Sequence, residues 1–177
     1  RNRQTGRRLK ALVPMHTFGH PCNLEGLLKI VKDYRLEIVE DAAEALGSRH
    51  FVDNKVFIHS GLIGDIGVIS FNGNKLITTG GGGILITNNK KLADKCKHLS
   101  TTAKKSHKFE FEHDQIGYNL RMPALNAALG CSQLKKIDKY LLSKRELFKR
   151  YTNRFEDHEY GSIYSPDTLG HSNCWLN

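Results

Sequence analysis

Apolar residues in this chain fall in short continuous runs, separated by stretches whose apolar positions recur at helical spacing. Residues 9–18 (LKALVPMHTF) run up to Gly19 and Pro21 and read as a buried strand over about 11–16. Asn23 offers an N-cap to a helix over 24–34, with Leu24, Leu27, Leu28 and Val31 on one face. A second apolar run predicts a strand over 36–40, a third over 67–71 and a fourth over 83–87. Asn89 then caps a helix expected over 90–104, in which Leu92, Cys96, Leu99 and Ala103 share a face. Pro123 suits the first turn of a last long helix over 123–157, striped by Leu134, Ile137, Leu141, Phe148, Tyr151 and Phe155. Strands apolar on both faces, alternating with helices, predict an α/β fold with a mostly parallel sheet flanked by helices.

Composition narrows the class without naming a function. At 177 residues and 39% apolar, the chain is long enough for one domain with a real core and too apolar to be disordered. No apolar run approaches the ~18 residues of a membrane span, and the basic start RNRQTGRR lacks the apolar stretch of a secretory signal. Cys22, Cys96, Cys131 and Cys174 form no C-x-x-C pair and read as reduced thiols of a cytoplasmic protein. The histidines lack metal-ligand spacing, so no metal is expected. The 27 basic against 18 acidic residues give a net charge of +9, which suits an anionic ligand. Nucleic acid is not the expected one, because the lysines share helices with apolar stripes and no aromatic residues interleave with them.

In such folds ligands gather beyond the strand ends, so the residues there carry the chemistry. The run at 36–39 is followed by Glu40-Asp41-Ala42-Ala43-Glu44, with carboxylates at 41 and 44. The run at 67–71 contains Ser70 and is followed by Asn72-Gly73-Asn74-Lys75, then by four glycines at 80–83. That glycine run fits neither G-x-G-x-x-G nor a P-loop and reads as a tight turn. A lysine and a carboxylate at one rim of an α/β sheet are the equipment of pyridoxal-phosphate chemistry. The lysine makes a Schiff base with the cofactor aldehyde, and the carboxylate keeps the pyridine nitrogen protonated.

The wording of these segments resembles the sugar aminotransferases, fold-type I pyridoxal-phosphate enzymes that aminate nucleotide-linked keto sugars. The segments are VEDAAEALGS at 39–48, DIGVISFNGNK at 65–75, the glycine turn at 79–83, GYNLRM at 117–122 and PMHTFG at 14–19. They span roughly residues 11–145 in the family's order, and are most similar to the branch acting on UDP-linked 4-keto N-acetyl sugars. The resemblance implies transfer of an amino group from glutamate to C4 of a nucleotide-linked 4-keto sugar, for surface polysaccharide or glycan sugars. It implies Lys75 as Schiff-base lysine and proton carrier, Asp41 at the pyridinium nitrogen, Ser70 at the phosphate and Glu44 beside the ring. Asn119 would reach the phosphate of the neighbouring subunit's cofactor, so a homodimer with shared sites is implied. His16 is expected in the core or in a hydrogen bond rather than in catalysis.

The resemblance also implies an arrangement of domains. Residues 1–158 would be the C-terminal part of the large cofactor domain of the aspartate-aminotransferase-like fold, ending in the long helix. Residues 159–177 would begin a truncated small domain, with 175–177 starting a strand, so the chain reads as a fragment. Two other readings stay open: a non-catalytic remnant of the fold, and a basic anion-binding protein.

Overall fold

The structure, a computed structural model, describes residues 1–52, 56–156, 158–164 and 169–176. Its larger sheet has four strands in the order β1-β2-β5-β6: β1 (Ala11–Leu12), β2 (Glu37–Asp41), β5 (Ile66–Ser70) and β6 (Gly83–Ile86). β1 and β5 run parallel to β2, whereas β6 runs antiparallel to β5. The sheet is therefore mixed, with the α/β layering expected.

The first strand is shorter and more exposed than expected. Pairing stops at Leu12 and resumes only as a single bridge between Met15 and Asp41, on either side of Pro14, whose nitrogen has no proton to donate. β1 lies at the sheet edge, and Leu9, Val13, Met15 and Phe18 are all more than half exposed.

Helix α1 (Leu24–Tyr34) has the bounds the pattern gives. Asn23 accepts from the Gly26 amide at its start, and Arg35 ends it in a left-handed conformation. Helix α2 (Lys90–Ser100) starts on Asn89, which accepts from Lys91 and Leu92, but stops short of 104. Thr102 and Ala103 take positive φ there, and the Thr102 amide pairs with the Tyr118 carbonyl instead of continuing the helix.

The single helix expected over 123–157 is two: α3 (Ala124–Leu134) and α4 (Ile137–Phe155). The break falls at Lys135-Lys136, where the Lys136 amide bonds the Gln133 carbonyl in a tightened turn. Gln133 is bolted to the Thr78 backbone through both ends of its amide. Of the expected stripe, Leu141 is buried, against the left-handed Gly47, while Leu134 and Tyr151 stay exposed at 42% and 44%. Residue 157 lies outside the described residues.

A second, antiparallel sheet of order β4-β3-β7 is absent from the sequence reading. It comprises β3 (Arg49–Val52), β4 (Val56–His59) and β7 (Gly170–His171), the last pairing with β3 from the far end of the chain. No strand forms at 175–176, and Asn177 lies outside the described residues. The core gathers Ala42, Ala45, Ile69, Phe71 and Ile77, with Leu46, Ile86, Met122 and Tyr140 against it. No described helix is long and apolar enough to cross a membrane.

Candidate functional site

The parallel strands β2 and β5 end at one rim of the larger sheet. Asp41 pairs with Val68, which puts Ser70, two residues on, at the same rim. Asp41 closes its strand with its own side chain: Oδ1 accepts from the Ala43 amide at 3.2 Å, and the chain turns tightly through 42–48. That turn presents Glu44.

Beyond β5 the chain loops through Asn72-Gly73-Asn74, and the Lys75 amide closes the turn onto the Asn72 carbonyl. The loop is anchored where Phe71 donates to Gly82 and accepts from Thr79, with Gly82 left-handed in the glycine turn. Ser70 Oγ accepts from the Asn72 amide at 3.2 Å.

These two turns bring Lys75 and Glu44 together. Lys75 Nζ donates to Glu44 Oε1 at 3.2 Å, with the side chains only 14% and 24% exposed. Glu44 Oε2 accepts from the Phe18 amide at 2.7 Å, in the 3-10 turn Thr17–Gly19 that follows β1. Three segments thus converge on one carboxylate.

Trp175, expected only to begin a strand, is 6% exposed and faces the same lysine, its ring centroid 4.2 Å from Nζ. Asn173 is fully buried and donates from Nδ2 to the carbonyls of Glu44 and Leu46. Only a contact across the whole chain reveals these two residues. Asn119 lies elsewhere: it is exposed and bridges to Thr101 at the end of α2, not to the Lys75–Glu44 cluster.

Beneath the rim lies a second polar cluster. Side chains alternate along β2, so Glu40 points opposite to Asp41 and is fully buried. It bonds His16 Nε2 at 2.9 Å and accepts from the amides of Gly61, Ile63 and Gly64 at 2.8, 2.7 and 2.5 Å. Burial disfavours its ionisation, but the bonds from His16, Gly64 and Gly61 outweigh this and hold it below the usual carboxylate range. Burial likewise opposes charge on His16, yet hydrogen bonds with Cys22 and Glu40 raise the imidazole to about 9. His50, 5.0 Å away ring to ring, is pushed down to about 4 by burial and by His16. The donor atoms of His16, Glu40 and His50 lie within 4.8 Å of one another. Both Glu40 oxygens are already taken up by hydrogen bonds, so the cluster reads as a structural brace under the rim.

The model of the DegT/DnrJ/EryC1/StrS aminotransferase family matches residues 2–176. GDP-perosamine synthase of Escherichia coli O157:H7 is 42% identical over 142 residues, 80% of this chain and 37% of that protein. A Bacillus subtilis protein, EpsN, whose name describes a pyridoxal phosphate-dependent aminotransferase, is 33% identical over 94% of this chain and 42% of its own length. Among solved structures, Helicobacter pylori PseC, an aminotransferase involved in the biosynthesis of pseudoaminic acid, superposes with a TM-score of 0.85 at 32% identity. That match covers 94% of this chain and 44% of PseC. The chain spans about two-fifths of the length of the relatives it matches.

Proposed function

Because the chain belongs to the DegT/DnrJ/EryC1/StrS aminotransferase family, we propose that it carries the lysine-bearing half of a pyridoxal-phosphate-dependent aminotransferase site. The reaction is transfer of an amino group from glutamate to C4 of a nucleotide-linked 4-keto sugar, for surface polysaccharide or glycan sugars. The observation that carries this reading is the Lys75 amine, held 3.2 Å from Glu44 at the rim where β2 and β5 end.

The residues present fit the cofactor. A primary amine, a carboxylate at Asp41 and a hydroxyl at Ser70 share one rim of an α/β sheet, the general location of ligands in such folds. When bound, pyridoxal phosphate supplies an aldehyde for the amine and a ring that takes up electrons from the reacting carbon.

Each side chain then has a defined task. Lys75 supplies the amine and, once released, carries a proton to and from sugar C4. Asp41, with Oδ1 committed to Ala43, would offer its other oxygen to the protonated ring nitrogen, a charge-assisted bond. Ser70 donates to the phosphate. Glu44 steadies the lysine and would face the cofactor ring. Asn119, exposed and outside this cluster, would reach the phosphate of a partner subunit's cofactor, which makes the active species a homodimer. Residues 1–158 form the C-terminal part of the large cofactor domain, and 159–177 begin the small one. The protein works in the cytoplasm, where thiols stay reduced.

Incubation with pyridoxal phosphate, glutamate and a GDP- or UDP-linked 4-keto-6-deoxy sugar tests the reading. Formation of 2-oxoglutarate and a sugar nucleotide of amino-sugar mass, dependent on both substrates and abolished by Lys75→Ala, supports it. The nucleotide that is turned over identifies the branch. Cofactor capture at Lys75 without product would favour a non-catalytic remnant of the fold.

A further inference from the structure

Trp175 is the chain's single tryptophan, and it is fastened to both turns that build the lysine site. Its indole N–H donates to the carbonyl of Asn74, the residue before Lys75, at 2.7 Å. Its backbone amide donates to Asn173 Oδ1 at 3.0 Å, and Asn173 in turn holds the Glu44 and Leu46 carbonyls. Lys144 Nζ, from α4, donates to the Trp175 carbonyl at 3.1 Å. The ring face is left against Lys75 Nζ at 4.2 Å, on the amine that also meets Glu44.

We propose that Trp175 is the positioning residue for Lys75, its indole face and the Glu44 carboxylate together fixing where the lysine amine stands. A lysine head on four methylenes has many rotamers, and a partly exposed ion pair does little to select among them. An aromatic face in a site largely closed to water adds an attraction that depends on the same position. The inference deepens the proposed function, resting on it only for the aldehyde that Lys75 is held to meet.

Amine labelling reads the position of Lys75 directly. The chain and its Trp175→Phe and Trp175→Leu variants are treated with trinitrobenzenesulfonate, and Lys75 modification is measured by peptide mass spectrometry. Lys90, whose side chain is 86% exposed, serves as internal standard. Trp175→Leu is expected to raise the Lys75-to-Lys90 labelling ratio about fivefold, the equivalent of one cation–π contact. Trp175→Phe keeps a ring face but loses the N–H, and is expected to stay within about twofold of the parent. Equal increases in both variants would assign the effect to the Asn74 hydrogen bond and overturn the proposal, as would no increase in either. Lys75→Met must also change the emission of the single tryptophan, and unchanged emission overturns the contact whether or not Trp175→Leu folds. Pyridoxal phosphate added before labelling tests the other reading separately. A Leu effect without protection of Lys75 keeps the positioning role and removes the cofactor role, and protection without a Leu effect does the reverse.

Discussion

Lys75 and Glu44, 31 residues apart in sequence, meet at 3.2 Å, and the second oxygen of the same carboxylate takes the Phe18 amide at 2.7 Å. Phe18 sits at a φ of 54°, in the left-handed region that a non-glycine residue enters at a cost. One carboxylate therefore steadies both the lysine head and a strained turn. The two duties differ in chemistry, since the lysine needs the charge and the amide needs only an acceptor.

Substitutions at Glu44 separate those duties. Glu44→Gln retains an acceptor for Phe18 and loses the charge opposite Lys75, so urea denaturation should find it within ~1 kcal/mol of the parent. Glu44→Ala leaves the Phe18 amide without its acceptor and should cost ~1–3 kcal/mol. Equal losses in both would place the stabilising effect in the ion pair.

Gly19 is the position where added bulk should do most harm near the site. Its φ is +83°, and a Cβ would run into the Asn173 side chain and approach the Glu44 carbonyl at 2.9 Å. Gly19→Ala should therefore destabilise the chain by roughly 2–4 kcal/mol. Lifting Asn173 should also free Trp175, so its emission should move to the red before global unfolding. A variant with parental stability and emission would contradict the packing described here.

The buried histidines give stability a pH optimum. His50 titrates near 6.5 when unfolded but is held near 4 in the fold, so its contribution is present above pH 6.5 and lost as pH falls toward 4. The whole loss is on the order of 3 kcal/mol. His16 is raised to about 9, so its contribution is full below pH 6.5 and lost as pH rises through 9. Thermal melts should peak near pH 6.5–7. His50→Gln should make the acid limb shallower, leaving the part carried by Glu40, His59 and His20, and should leave the alkaline limb; loss of the alkaline limb instead would refute the assignment.

Patterns that repeat within a few residues were legible in the sequence, and contacts that join distant segments were not. Helix α1 and strands β5 and β6 follow from caps and apolar runs that each act locally. The break at Lys135-Lys136 leaves the apolar period intact on either side, because what redirects the chain is Gln133 fixed to Thr78, 55 residues away. The β3–β4–β7 sheet is held partly by a two-residue strand at Gly170–His171 that has no period to read. Asp41, Glu44, Ser70 and Lys75 stand out as candidates because they lie at or just beyond the ends of apolar runs. Trp175 meets Asn74 across 101 residues, and a lone tryptophan near a chain end carries no signal of that.

Sharing of sites between subunits can be tested by mixing. Asn119→Ala should weaken retention of pyridoxal phosphate by ~1–3 kcal/mol, the cost of one hydrogen bond to a charged group. Lys75→Ala should abolish transamination. If each site draws Asn119 from its partner, mixed dimers of the two variants hold one site with both residues intact, and cofactor retention at that site returns to the parental value on mixing. Retention that stays at the Asn119→Ala value in dimers shown to be mixed would place both residues in one subunit's site.

The most direct measurement concerns the lysine itself. The chain is incubated with pyridoxal 5′-phosphate, reduced with borohydride and mapped by peptide mass spectrometry. The geometry at the ends of β2 and β5 predicts a pyridoxyl group on Lys75, lost in Lys75→Ala while the far-ultraviolet spectrum stays that of the parent. A reduced adduct on another lysine, or one spread over the exposed lysines of α2 and α4 without preference for Lys75, would contradict the account.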